Sequence, residues 1–155
     1  MVDLQSALAS PPFQLALLAA YAGTNEEVTA NVTFTFSNHT DTASAADVAR
    51  SIVAANADLV AASDYAWNHA TLCEALDLVS AAGTTLPPIL LGGPNCTGRA
   101  GVAMLERYPI VSALVVGEGE PAFRDICESL VDSPAKTPFV RARNCRFRDR
   151  SRRLG

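Results

Sequence analysis

The sequence predicts an α/β protein with a doubly wound, five-stranded parallel sheet and helices on both faces, in three layers. Short apolar runs of strand length alternate along the chain with longer stretches in which apolar residues recur at helical spacing. The runs that end at Ser63, Leu91 and Val116 are apolar with little alternation, which is typical of strands buried on both faces of a parallel sheet. Strands and helices that alternate in this way favour parallel pairing through crossover helices.

The predicted strands are short, and most of them end in a polar or Gly/Pro loop. They run from Val2 to Leu8, Val28 to Phe36, Asp58 to Ser63, Ile89 to Leu91 and Val111 to Val116. The first is weak and mixed in polarity, and the pattern that follows requires it. The second alternates apolar and polar residues and is rich in β-formers, so we expect it at a sheet edge. The third is apolar without alternation and is predicted to be central.

The predicted helices carry apolar residues at helical spacing and have start or stop signals. They run from Phe13 to Ala22, Ser44 to Ala55, Asn68 or Thr71 to Ala82, Arg99 to Tyr108 and Pro121 to Val131. Proline in the first turn opens the first and the last of these helices, and Gly23 and Gly83 supply stops. Ser44 with Asp47 predicts a capping box at the second.

The bulk composition fits one folded domain. A chain of 155 residues is long enough to bury about two-thirds of its unfolded surface. A hydrophobic fraction of 49% with 18% charged residues argues against disorder. No apolar run approaches the ~20 residues of a membrane span, and no basic segment precedes an apolar one at the N-terminus. We therefore expect a cytoplasmic protein with no membrane partner.

The charge distribution separates the C-terminal segment from the rest. After Ser133 and Pro134 no apolar periodicity survives, and arginines crowd the last fifteen residues. We therefore predict a domain at 1–132 and an Arg-rich linker or disordered tail at 133–155. Because the net charge is −4 even with this tail, the globule itself is acidic, which argues against a specific nucleic-acid surface.

The cysteines and histidines show no metal-binding spacing. The four cysteines are far apart and form no C-x-x-C pair, which argues against a zinc ribbon, an iron–sulfur motif or a disulfide framework. We expect buried or idle thiols. His39 lies in a polar loop with no partner at metal-ligand spacing, and His69 is expected to face solvent at a helix start. No residue is predicted to ligate a metal.

The loops at the carboxyl ends of the strands are the predicted binding site. Parallel strands point the same way, so these loops converge on one edge of the sheet, where such sheets bind ligands. The candidate residues are Pro11, Pro12, Ser63, Asp64, Tyr65, Trp67, Asn68, Gly92, Gly93, Pro94, Asn95, Gly117, Glu118, Gly119 and Glu120. No glycine-rich phosphate motif follows the first strand, which weakens nucleotide hydrolase and dehydrogenase interpretations.

Several of these residues also have structural explanations. Trp67 is the only tryptophan, and such a residue after a strand often plugs the core. Asp64 is placed either to act as a base or to cap the following helix. Gly92-Gly93 suits a tight turn as well as close approach of a ligand. Glu118 stabilises a helix dipole without any catalytic role.

In this order, the loops resemble those of the cobalamin-binding domain that precedes the catalytic barrel in cobalamin-dependent radical S-adenosylmethionine enzymes. The matching pieces are Pro11-Pro12 with the apolar helix after it, residues 57–68, Leu91-Gly92-Gly93-Pro94, and Val116 to Phe123. Together they span nearly all of residues 1–132. The resemblance implies a flavodoxin-like sheet of order 2-1-3-4-5, with the corrin over the strand ends and its nucleotide tail inserted along the sheet.

Cobalamin is therefore the expected cofactor. Gly92 and Gly93 would let a flat macrocycle approach, and Tyr65 and Trp67 would supply flat apolar contact. Ser63 and Asn68 would offer hydrogen bonds to peripheral amides. Many cobalamin proteins use an Asp-x-His-x-x-Gly loop after the first strand, but here residues 9–12 contain no histidine. We therefore expect no histidine as the lower axial ligand.

The resemblance also implies a partner. The family's Cys-x-x-x-Cys-x-x-Cys cluster loop is absent from this sequence. We expect a binding module, not catalytic alone, that presents a corrinoid to a radical S-adenosylmethionine catalytic domain in cis or in trans. One alternative is a vestigial doubly wound regulatory or protein-interaction domain without cofactor. Another is a small enzyme using Asp64, Glu118 and Glu120, for which the sequence shows no specific motif.

Overall fold

The computed structural model describes residues 2–4, 13–40, 42–83, 85–132 and 143–147. The strands are β1 (Val2–Leu4), β2 (Ser37–His39), β3 (Val60–Ser63), β4 (Ile89–Gly92), β5 (Val111–Val115) and β6 (Cys145–Phe147). The helices are α1 (Phe13–Ala22), α2 (Glu26–Asn31), α3 (Ala45–Ala54), α4 (His69–Ala81), α5 (Gly98–Arg107) and α6 (Gly119–Asp132). The predicted α/β class is confirmed.

The described strands form one sheet in the order β2-β1-β3-β4-β5-β6. All neighbours pair in parallel except β6, which runs antiparallel to β5. A mostly parallel sheet is therefore confirmed, but the prediction of a five-stranded, wholly parallel sheet is wrong. β1 meets β3 at a single register pair, Val2 with Ala62, so the best-paired part of the sheet is β3-β4-β5.

The sixth strand comes from the segment that we expected to be a linker or tail. Cys145–Phe147 pairs with Val115, Leu114 and Ala113, and the backbone N–H of Val116 donates to the carbonyl of Asn144 over 2.8 Å. Arg143 anchors this piece to α6, because its Nε donates to Asp125 Oδ2 over 2.8 Å. These residues therefore belong to the folded unit.

The prediction of a strand from Val28 to Phe36 is wrong. Residues Glu26–Asn31 form α2 instead, and the strand lies later, at Ser37–His39. The side-chain Oδ1 of Asn25 accepts hydrogen bonds from the backbone N–H groups of Glu27 and Val28 over 2.8 and 3.3 Å. This cap and the acids of the first turn start a helix in spite of the alternating pattern.

The five predicted helices are confirmed within a few residues at their ends. α1 has the predicted bounds. The capping box of α3 is present, since Ser44 Oγ accepts from the N–H of Asp47 and Asp47 Oδ2 accepts from the N–H of Ser44. Asn68 precedes α4 as expected, but its side chain makes no capping bond to that helix.

Helices cover both faces of the sheet. Val60 and Ala62 of β3 pack with residues of α3, α4 and α5, whereas Ala61 packs with residues of α1, α2 and α6. This alternation follows the two-residue period of a strand. With both faces covered, the carboxyl edge is the place where the loops of β3, β4 and β5 remain accessible. Among the described residues, none of the helices combines the length and apolar character that crossing a membrane requires.

Candidate functional site

A cleft of about 370 Å³ opens at the carboxyl edge of the sheet. Its lining comes from α1, from the ends of β3, β4 and β5, and from the first turn of α6. The sheet residues Ala61, Leu90 and Val115 belong to the hydrophobic cluster on the α1 and α6 side, so the cleft runs between the sheet and these two helices. It is the kind of site expected where parallel strands end.

The candidate residues lie in four loops, and three of these, the loops after β3, β4 and β5, meet in this cleft. The predicted residues that line it are Ser63, Tyr65, Gly92, Gly93, Pro94, Gly117, Glu118, Gly119 and Glu120. Asp64, Trp67, Asn68 and Asn95 lie in the same loops but do not line the cleft. Pro11 and Pro12 lie outside the described residues. The sequence therefore located the edge of the sheet, and the structure separates lining residues from supporting ones.

Gly93 is required by a crossing of two loops. Its backbone has φ 121° and ψ 175°, a region that is essentially open only to glycine. A Cβ atom there would lie 2.4 Å from the carbonyl oxygen of Asp64. The same crossing is closed by a hydrogen bond from the N–H of Asp64 to the carbonyl of Gly92 over 2.7 Å. The tight crossing of the two loops therefore explains why glycine stands at position 93.

Gly92 has a different surrounding. A Cβ atom at this position would meet only the Cβ atom of Val115, at the ordinary contact distance of 3.7 Å. Both residues line the cleft, so the missing side chain of Gly92 leaves open space on the cleft floor. The two neighbouring glycines therefore serve different purposes, one at a backbone crossing and one on the floor.

Tyr65 and Trp67 form a stacked pair at this edge. Their ring centroids are 4.5 Å apart and the planes are inclined by 11°. Trp67 is 60% exposed, so the alternative that it plugs the core is wrong. Tyr65 is half-buried and lines the cleft. The pair therefore presents a flat aromatic surface beside the cleft.

Asn68 is a supporting residue. It is buried, its Oδ1 accepts from the N–H of Tyr65 over 2.8 Å, and its Nδ2 donates to the carbonyl of Ser63 over 3.0 Å. Asn68, which we expected to donate hydrogen bonds to a ligand, is thus hydrogen-bonded to its own loop. These bonds hold the turn that carries Tyr65.

Asp64 joins three elements from a fully buried position. Its Oδ1 accepts from His69 Nδ1 over 2.9 Å and from Asn95 Nδ2 over 3.0 Å. The other oxygen, Oδ2, is buried and has no hydrogen-bond partner in the described part of the chain. The carboxylate therefore ties the loop after β3 to α4 and to the loop after β4. His69, which we expected to face solvent, is half-buried and bonded to this carboxylate.

The helical wall and the floor of the cleft are not among the predicted site residues. These residues are Gln14, Leu15, Leu17, Leu18, Ala61, Ala62, Leu90, Thr97, Val115 and Phe123. A signal was present in the sequence of α1, which is apolar nearly all round, and the structure leaves its Leu17 44% exposed. A helix that is apolar all round indicates a second contact surface besides the core.

The cleft lining contains two carboxylates and no histidine among the described residues. Glu118 and Glu120 flank the start of α6 at Gly119, where acids also stabilise the helix dipole. His39 lies elsewhere, where burial lowers its pKa. Among the described residues, no group of three or more His, Cys, Asp or Glu side chains is arranged to hold a metal ion.

Comparison with known proteins gives one informative relative. No family model matches the chain. The 2-(S-pantetheinyl)-carbapenam-3-carboxylate methyltransferase of Streptantibioticus cattleyicolor is 36% identical over 90 residues. That match covers 56% of this chain and 13% of the relative, so the chain spans a small part of the relative's length. Over this region the chain is similar to a segment of a methyltransferase.

Proposed function

We propose that this chain is a cobalamin-binding module of flavodoxin-like topology that presents a corrinoid to a radical S-adenosylmethionine catalytic domain, in cis or in trans. The observation that carries the proposal is the cleft in which the loops after β3, β4 and β5 meet α1. The similarity to a methyltransferase segment supports it. Bound cobalamin would supply a transferable methyl group, with its chemistry set by the surrounding pocket.

The shape of the cleft fits one part of this cofactor. A volume of about 370 Å³ lies at the lower end of ordinary ligand pockets, so it suits the nucleotide tail and not a whole corrinoid. Leu15, Leu18 and Phe123 provide apolar walls. Ala61 and Gly92 lie on the floor, where a small side chain or none leaves space for a ligand. In this proposal the tail lies between the sheet and the helices, and the corrin ring lies over the edge beside Tyr65 and Trp67.

The polar groups of the cleft fit a ligand rich in amides. Glu118 and Glu120 line the mouth, where their carboxylates would accept hydrogen bonds from the amide N–H groups of the corrin periphery. Two carboxylates disfavour a free anion at this place. Since no histidine of the described residues lines the cleft, the lower face of cobalt would have no histidine ligand.

The test is retention of hydroxocobalamin by the purified chain on a desalting column. We expect a coloured protein with the absorption spectrum of base-off cobalamin. The spectrum should stay the same in the His39→Ala and His69→Ala variants, because neither side chain lines the cleft. A folded wild-type protein that leaves the column colourless would overturn the proposal, and a spectrum altered in either variant would overturn the axial-ligand part.

Two variants with matched controls locate the bound cofactor. Gly92→Val adds a side chain to the cleft floor and should abolish retention, whereas Ala46→Val, on the exposed side of α3, should not. Trp67→Ala should weaken retention, whereas Phe36→Ala removes another exposed aromatic side chain away from the cleft. Equal retention by Gly92→Val and the wild type would show that cobalamin does not occupy this cleft.

A further inference from the structure

The side chains that line the cleft differ between its rim and its depth. Gln14, Thr97 and Glu118 are exposed and lie at the rim. Among the described residues, the buried part of the lining consists of apolar side chains and one hydroxyl, and it includes Leu15, Ala61, Ser63, Leu90, Val115 and Phe123. Water therefore reaches the polar rim, whereas the depth of the cleft is apolar apart from Ser63.

The apolar depth is enclosed on two sides. Ala61, Leu90 and Val115 come from three neighbouring strands and belong to the cluster that α1 and α6 cover. Phe123 of α6 is 3% exposed, and its ring packs 6.0 Å from that of Phe34. The backbone groups of the three strands are engaged in the pairing of the sheet. A polar group of a ligand that entered this depth would find few hydrogen-bond partners.

An apolar depth beneath a polar rim suits an amphipathic ligand that inserts its apolar end. In the proposed function, the inserted end is the base at the tip of the nucleotide tail. Corrinoids differ in this base, which is a dimethylbenzimidazole in cobalamin and adenine in a common analogue. The benzo ring of the first carries only C–H and methyl groups, whereas adenine carries an amine and two more ring nitrogens.

We propose, as an extension that rests on the proposed function, that the apolar depth makes this protein selective for a corrinoid with a benzimidazole base over one with a purine base. An amine or ring nitrogen that is buried without a partner gives up its hydrogen bonds to water. One hydroxyl, that of Ser63, cannot serve all three additional polar groups of adenine. Burial of the two methyl groups of the benzimidazole in an apolar environment adds to the preference.

The test is equilibrium dialysis of the full chain against three corrinoids with the same upper ligand. These are hydroxocobalamin, its adenine-base analogue and hydroxocobinamide, which lacks the nucleotide tail. The corrinoid absorbance in the protein compartment gives each affinity. We expect the adenine analogue to bind about 10–100-fold more weakly than hydroxocobalamin. Hydroxocobinamide should bind at least about tenfold more weakly, because it leaves the apolar depth of the cleft unfilled.

The outcomes separate this selectivity from the proposed function. Equal affinity for hydroxocobalamin and its adenine analogue would overturn the selectivity, while cobalamin binding itself would stand. Equal affinity for hydroxocobinamide and hydroxocobalamin would show that the tail does not enter the cleft, which also overturns the selectivity. If the folded protein bound none of the three corrinoids, the proposed function would fail and the selectivity with it.

Val115→Thr tests the floor of the cleft directly. It keeps the shape of the side chain and adds a hydroxyl, so the preference for hydroxocobalamin over the adenine analogue should fall by about three- to tenfold. Val111→Thr is the matched control, because it makes the same change in the same strand outside the cleft lining and should keep the wild-type preference. Leu18→Gln, at a half-buried position of the wall, should reduce the preference with less disturbance of the core.

The measured quantity is a ratio of two affinities, so a loss of stability that lowers both affinities alike leaves it unchanged. A wild-type preference in both Val115→Thr and Leu18→Gln would overturn the assignment of selectivity to this cleft. The same reduction in Val111→Thr as in Val115→Thr would overturn it too.

Discussion

The crossing of the loops after β3 and β4 can be tested with one methyl group. In Gly93→Ala the new Cβ would lie 2.4 Å from the carbonyl oxygen of Asp64 and 3.1 Å from its backbone N and carbonyl carbon. Holding alanine at φ 121° and ψ 175° costs about 1–3 kcal/mol. Relieving the clash costs about 1–3 kcal/mol more, because the contacted atoms are backbone. We therefore expect a loss of about 2–6 kcal/mol in the free energy of unfolding.

The assay is thermal and urea unfolding followed by circular dichroism. For a chain of this length about 1 kcal/mol corresponds to about 2–4 °C in Tm, so Tm should fall by at least about 4 °C. Gly83→Ala is the matched control. Gly83 also has a positive φ, 62°, but no described atom lies within 4 Å of its added Cβ. It should lose about 1–2 kcal/mol from the dihedral alone. An equal loss in the two variants would refute the clash between the loops.

Two further predictions concern ionisable groups. Burial raises the pKa of Asp125, but hydrogen bonds from the side chain and backbone of Arg143 outweigh it and hold the pKa below its ordinary value. A depressed folded-state pKa stabilises the protein above the unfolded value, about 3.9, and this contribution is lost as pH falls through the folded value. Arg143→Gln should therefore lower stability at pH 7 more than at pH 2.5, as measured by urea unfolding. The control is Arg107→Gln, which removes an exposed ion pair and should lose about the same small stability at both pH values. An equally small loss in Arg143→Gln at pH 7 and pH 2.5 would contradict the proposed stabilisation of the Asp125 carboxylate by Arg143. Burial also raises the pKa values of Cys96 and Cys127 to about 12, so about one thiol in ten thousand is ionised at pH 8. Iodoacetamide should label these two last in the folded protein, and labelling of either at the rate of the urea-unfolded chain would contradict this prediction.

The sequence was most informative where local signals and burial agree. Ser44 and Asp47 predicted a capping box that the structure contains, and the glycine after Ala22 ended α1 as expected. The apolar strands β3, β4 and β5 were found because burial on both faces leaves a continuous apolar run. The carboxyl ends of these strands in turn predicted the edge of the sheet at which the cleft lies.

The failures have physical causes. The alternation from Val28 to Phe36 indicated a strand, but the Asn25 cap and two acids started a helix and the fully buried Val28 holds it against the core. A start signal is nevertheless present in Asn25-Glu26-Glu27, where a capping residue precedes two acids. β6 was not predictable, because three residues pair with β5 across about thirty residues of chain and carry no periodicity of their own.

Sequence separation hid two contacts, one beside the cleft and one between α4 and α5. Asp64 and Asn95 are brought together by neighbouring parallel strands, which only a correct register reveals. Cys73 and Met104 meet because α4 and α5 lie on the same side of the sheet. The helical wall of the cleft was not predicted for a different reason, since the ends of strands indicate where loops lie and not which helices pack above them.

The antiparallel strand β6 bears on how the protein behaves in concentrated solution. Without it, β5 would present its backbone N–H and C=O groups along an apolar border, a ready template for edge-to-edge aggregation. β6 occupies that border and carries Arg146, whose exposed charge discourages a second molecule from docking there. Strand β6 thus covers the edge of β5 against such pairing, apart from any role in ligand binding.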